Sequence, residues 1–166
     1  MTAQCMEQVI YKGDQFGMAA EPLNDYLCSQ KGISFDPSNT ACWRGYYGKW
    51  EITDKKLYLI ALEAKIDGNK IDLHYFFPNQ EKVFAEWFTG QIRIPMGEKV
   101  EHIHMGYASV YEKDLLLNFK KGVLVSEKII DNCCGSQSKR IKFETMLMRI
   151  QENEGYFKAI LQKDNE

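Results

Sequence analysis

Between Cys42 and Ile130 the chain alternates short apolar runs with reversal signals, spaced too closely for helices to fit between them. Trp50 and Ile52 precede a turn at Thr53-Asp54-Lys55-Lys56. The run 57–66 is apolar on both faces near its start, as in a central strand. Asp67-Gly68-Asn69 reads as a tight reversal, after which Ile71, Leu73, Tyr75 and Phe77 alternate with more polar neighbours in a period of two. Further strands are expected over 83–94, 100–107, 114–119 and 123–129, with turns at Pro95-Met96-Gly97 and Lys120-Lys121-Gly122. Strands joined this tightly pair antiparallel, since a parallel partner needs a long crossover. The expected fold is mainly β (α+β), an antiparallel meander curled into a barrel or folded as a sandwich.

The flanks are simpler. Val9 to Phe16 forms two short strands around Gly13, which takes a positive φ at little steric cost. A short N-terminal helix follows Pro22, with Leu23, Tyr26 and Leu27 on one face and Gly32 beyond its end. Residues 35–40 have loop chemistry. Over 139–162, Phe143, Leu147, Ile150, Phe157 and Leu161 fit a helical stripe capped by Ser138. The same stretch also reads as a hairpin through Ile141, Phe143, Thr145 and Leu147, turning at Asn153-Glu154-Gly155. Its wealth of Met, Glu, Lys, Gln and Leu favours a C-terminal helix. No linker or repeat divides the chain, so residues 1–166 are read as one domain.

Charge and length exclude several classes. The formal net charge of 166 residues is −2, which argues against a nucleic-acid binder working by counterion release. The longest apolar run, Leu57 to Leu62, is far shorter than the ~20 residues that span a bilayer, so no membrane association is expected. The N-terminal residues carry neither a basic start nor an apolar segment, so no signal peptide is expected. Five cysteines without a CxxC pair point to reduced thiols and a cytoplasmic setting, with Cys133-Cys134 an ordinary loop.

The stretch Cys42-Trp43-Arg44-Gly45-Tyr46-Tyr47-Gly48-Lys49-Trp50-Glu51-Ile52 with Lys56-Leu57-Tyr58-Leu59, and Trp87-Phe88-Thr89-Gly90 with Ile92-Arg93-Ile94-Pro95, resembles a pattern in small uncharacterised bacterial proteins. The resemblance spans roughly residues 9–130. It implies a compact bacterial β-domain and no particular activity.

His102 and His104 are the candidate metal ligands. At i and i+2 on a strand, both imidazoles project from one face, and His74, Asp72 or Glu101 would have to supply a third ligand. Covalent catalysis finds little support: there is no Gly-x-Ser-x-Gly, and Cys28 and Cys42 lie in apolar surroundings. Gly45-Tyr46-Tyr47-Gly48 lacks the spacing of a phosphate loop. Glu51, Glu63, Asp72 and Glu86 supply carboxylates whose separations the sequence leaves open. Aromatic residues, 13% of the chain, serve mainly to fill a β-core. Trp43, Arg44, Tyr46 and Tyr47 are the candidate contact residues, glycine-flanked rings beside an arginine. The expected function is a non-enzymatic cytosolic binding protein whose partner is another protein, with a toxin-neutralising immunity protein as one version. The alternatives are a β-barrel holding a small apolar ligand and a metal-dependent enzyme built on His102 and His104. No cofactor beyond such a metal is expected.

Overall fold

The computed structural model describes residues 2–133; the helix expected over 139–162 lies outside them. Four two-residue reversals organise these residues. Lys12-Gly13, Asp54-Lys55, Asp67-Gly68 and Lys121-Gly122 have positive φ at both positions. That is the requirement of a type I′ turn, whose twist matches the strands it joins. The first links β1 (Glu7–Tyr11) to β2 (Asp14–Met18), after which comes α1 (Leu23–Ser29). The second links β3 (Tyr46–Thr53) to β4 (Lys56–Ile66), and the third links β4 to β5 (Asn69–Asp72). Then follow α2 (Leu73–Phe76), β6 (Val83–Phe84), β7 (Gly90–Glu101) and β8 (Val110–Lys120), and the fourth reversal leads into β9 (Val123–Asp131).

The strands form one mixed sheet in the order β2-β1-β3-β4-β9-β8-β7, with β5 and β6 also on β4. β1 runs parallel to β3, pairing Gln8 with Lys49 through Tyr11 with Ile52; the crossover is made by β2, α1 and the loop that follows. The second edge of β4 is shared by three strands. Lys56 pairs with Val123 of β9, Tyr58 and Leu59 pair with β6, and Glu63 to Ile66 pair with β5. This is where the expected meander fails. β5 and β6, four and two residues long, are too short to hold the whole edge of β4, and its first residue is left to β9.

The sheet is not closed, so the expected barrel is not formed. The β4–β9 join has a single residue pair, and beyond the end of β2 the Ala19 N–H reaches Arg93 O of β7 at 2.8 Å. Three local expectations are also corrected. The strand expected over 71–77 stops at Asp72, whose side chain accepts from His74 N at 2.9 Å and starts α2 instead. No turn occurs at Pro95-Met96-Gly97: β7 runs through it with a register shift after Met96, where Gly97 has φ +78°. The strand expected over 100–107 therefore ends at Glu101, and residues 102–109 connect β7 to β8.

The apolar run of β4 has a precise geometric cause. Lys49 pairs with Ala61 but Trp50 pairs with Leu59, so Ile60 is an extra residue in a bulge. Leu57, Leu59 and Leu62 are consequently all buried although their spacing is not strictly two. They join Val9, Met18, Leu23, Trp50, Ile92, Ile94 and Leu117 in one core cluster. Rings fill its flank: Tyr26 of α1 lies 4.8 Å from Phe77 and 5.0 Å from Trp87, and Phe77 stacks on Trp87. Cys5, Cys28, Cys42 and Cys133 are unbridged. Among the described residues no helix is long and apolar enough to cross a membrane.

Candidate functional site

The four expected contact residues divide between the interior and the surface. Trp43 is exposed, with its N–H held by Gln4 Oε1 at 2.8 Å. Arg44 and Tyr46 turn inward and are buried, unlike Trp43. Strand alternation puts Tyr46 on the buried face with Gly48, Trp50 and Ile52. Arg44 follows because its charge is answered from inside. Its Nη1 donates to Cys5 O at 2.7 Å and to the Tyr107 hydroxyl at 2.9 Å, and its Nε stands 3.3 Å from Glu7 Oε1.

A polar network runs on from there. Tyr107 donates to Glu21 Oε1 at 2.8 Å, Asn24 donates to Glu21 Oε2 at 2.6 Å, and Tyr46 donates to Asn24 Oδ1 at 2.9 Å. Trp50 Nε1 donates to Glu7 Oε2. Gly48 makes room for that contact, since a Cβ there would strike the Glu7 carboxylate. Burial pushes the Glu7 carboxyl up to about 7, against the opposing pull of Arg44 and Trp50. Burial works against the Arg44 cation, but Tyr107 and Glu7 outweigh it and raise its pKa. Burial, then the charge of Glu21, raises the Tyr107 phenol. The network ties β1, β3, the start of α1 and the 102–109 connection together.

Tyr47 alternates to the other face of β3 and lines an open groove of about 760 Å³, with the Arg44 guanidinium 5.7 Å from its ring. One wall is the loop at Asp36-Pro37-Ser38 with Gly45, and Tyr75 of α2 also lines the space. The wall is anchored locally. Asp36 accepts from Asp67 N at 3.2 Å and Gly68 N at 2.7 Å, and its own N–H donates to Lys65 O at 2.8 Å. Gly45 has φ +76°, and a Cβ there would stand 2.7 Å from Phe35 Cβ, so only glycine lets the loop close up.

The groove is floored by cross-strand rows. Tyr47 of β3 pairs with Glu63 of β4, and Glu63 pairs with Asp72 of β5. One strand repeat away, Lys65 pairs with Lys70. Residues directly opposite share a face, so two carboxylates and two ammonium groups lie in successive rows beside a ring. Glu63, Lys65, Lys70, Asp72 and Tyr75 were not among the expected contact residues. The reversal at Asp67-Gly68 was a usable signal, because counting outward from it places Glu63 opposite Asp72.

His102 and His104 occupy the exposed connection after β7, not a strand. Their rings nevertheless meet: His102 Nε2 lies 3.2 Å from His104 Nδ1, with the ring planes nearly perpendicular. Lys99 Nζ is 3.3 Å from His102 Nδ1. Desolvation, then His104 and Lys99, lower the His102 pKa. Neither His74, Asp72 nor Glu101 joins them, and among the described residues no group of three or more His, Cys, Asp or Glu side chains is arranged to hold a metal ion.

A second cleft of about 670 Å³ opens where β9 diverges from β3 and β1. Glu127 of β9 bridges it, accepting from the Tyr11 hydroxyl and pairing with Lys12 at 3.4 Å. Comparison with protein-family models, with curated proteins and with solved structures finds no match to the chain.

Proposed function

We propose that the chain is a non-enzymatic binding protein that engages another protein through the groove beside Tyr47. The observation that carries this reading is the placement of Tyr47 and Tyr75, 37% and 58% exposed, at the lining of one concave site. Tyrosines that present a flat apolar body and a polar tip in a concave surface are the usual anchors of protein contacts. Most other large rings of the described residues are spent on the core. The small-ligand alternative was expected of a closed barrel, and the sheet is not closed.

Tagged protein recovered from its native cell tests this reading. A specific partner should co-purify at micromolar concentration and be lost from the Tyr47→Ala/Tyr75→Ala variant, whose changes touch exposed positions. Retention of the partner by that variant would refute the groove. A toxin is one partner of this kind, suggested by small size and mild acidity. In that version, growth arrest by the toxin would be relieved by the native chain and not by the variant.

A further inference from the structure

The floor of the groove places like charges against each other. Glu63 and Asp72 are directly opposite neighbours in the β4–β5 ladder, and so are Lys65 and Lys70. Like charges in that position destabilise a sheet. Among the described residues none of the four belongs to an ion pair. Asp72 also differs from a simple acidic surface residue, since one of its oxygens is engaged by His74 N. The exposed row of carboxylates continues into the ring of Tyr47, the row of ammonium groups lies two residues further on, and both line the same 760 Å³ groove.

We propose that this groove takes an extended segment of the partner protein carrying a basic and an acidic side chain two positions apart. The basic group lies over the Glu63–Asp72 row beside Tyr47, and the acidic group lies over Lys65–Lys70. The rows are two residues apart along each strand, ~6.8 Å at the usual rise, and side chains at i and i+2 of an extended peptide have the same spacing and share a face. A guanidinium between two carboxylates and an aromatic ring gains charge-assisted hydrogen bonds and a cation–π contact together. The occupant thereby relieves both like-charge pairs. This inference rests on the groove being the contact surface.

Two labelled ten-residue peptides of Gly and Ser test it by fluorescence anisotropy, one bearing Arg-Ser-Glu at its centre and the other Arg-Glu-Ser. They have the same composition, but adjacent charges in an extended peptide point to opposite faces. The spaced peptide should bind about tenfold tighter, a difference that fades as salt screens the charges. The advantage should vanish in Glu63→Gln/Lys70→Gln, two exposed positions where folding can be verified by circular dichroism. Equal binding of the two peptides, no binding of either, or an advantage that survives in the double variant would overturn the charge rule. The contact-surface reading fails separately, by recovery of the native partner on Tyr47→Ala/Tyr75→Ala.

Discussion

Glu7 on β1 and Arg44 ahead of β3 are both buried, with Arg44 Nε 3.3 Å from Glu7 Oε1 and outside hydrogen-bond geometry. The pair is thus close in charge but imperfectly joined. Glu7 Oε1, Arg44 Nε and Arg44 Nη2 have no hydrogen-bond partner among the described residues. Coulomb attraction in a low-dielectric interior holds the two groups together, while desolvation opposes their ionisation. The result is a carboxyl that gives up its proton only near neutral pH.

That sets a pH dependence of stability with a definite sign. The folded carboxyl titrates at about 7, against 4.5 for its ordinary value. Between those values the folded protein keeps a proton that the unfolded chain has released, so stability falls as pH rises through the window and levels off above it. The interval corresponds to roughly 3 kcal/mol. Urea unfolding of the native chain and of Glu7→Gln at about pH 5 and about pH 8 measures it, since the variant lacks the titration. The comparison separates Glu7 from His102, whose lowered pKa works in the opposite direction. A variant whose stability falls as steeply as the native chain's would refute the assignment.

The second buried pair is fully joined and should be costly to break. Arg93 Nε donates to Asp114 Oδ1 at 2.7 Å, and Nη1 and Nη2 donate to Tyr107 O and Ser109 O, each at 2.8 Å. Asn132 donates to Asp114 Oδ2 at 3.1 Å. Asp114→Ala removes the carboxylate that answers the buried Arg93 charge and should cost about 3–5 kcal/mol in chemical denaturation. A cost below about 1 kcal/mol would mean that the backbone carbonyls alone satisfy Arg93.

Tyr107 joins the Arg44 network to Glu21 through one hydroxyl. Tyr107→Phe removes that oxygen while keeping the ring, and leaves Arg44 Nη1 only the Cys5 carbonyl. The expected loss is about 1–3 kcal/mol. In a double-mutant cycle with Glu21→Gln, the coupling should exceed about 0.5 kcal/mol. Strict additivity would show that the hydroxyl does not act on Glu21.

What could be seen in the sequence was local. The four reversals lie where Gly13, Asp54, Gly68 and Gly122 announce them, because a two-residue turn depends on its own residues. Register then follows by counting, which is how Glu63 meets Asp72. Burial of Tyr46, Trp50 and Ile52 follows from alternation. The pairings of β1 with β3 and of β4 with β9 have no such local signature; nothing about Lys56 or Val123 marks them as partners. The burial of Arg44 has no local signature either, since its partners Glu7 and Tyr107 come from distant parts of the chain. Pro95-Met96-Gly97 misled in the opposite way. Its composition favours a turn, but the long ladder to β8 absorbs Gly97 as a bulge.

Gly122 offers a final test, at the only residue-pair join between β4 and β9. Its N–H donates to Phe88 O at 2.7 Å and its carbonyl accepts from Leu57 N at 2.9 Å. Its φ is +76°, and an added Cβ would stand 2.5 Å from the Ala85 carbonyl oxygen. Gly68 has the same backbone, φ +78°, with nothing within 4 Å of an added Cβ. Gly68→Ala therefore suffers only left-handed strain, about 1 kcal/mol. Gly122→Ala adds a clash with fixed backbone and should cost about 2–4 kcal/mol. It should also speed amide exchange at Leu57 and at position 122, because the clash pushes the β8–β9 turn away from β4 and from the segment at Phe88, to which those hydrogen bonds tie it. Equal costs for the two substitutions would show that the contact at Ala85 yields freely.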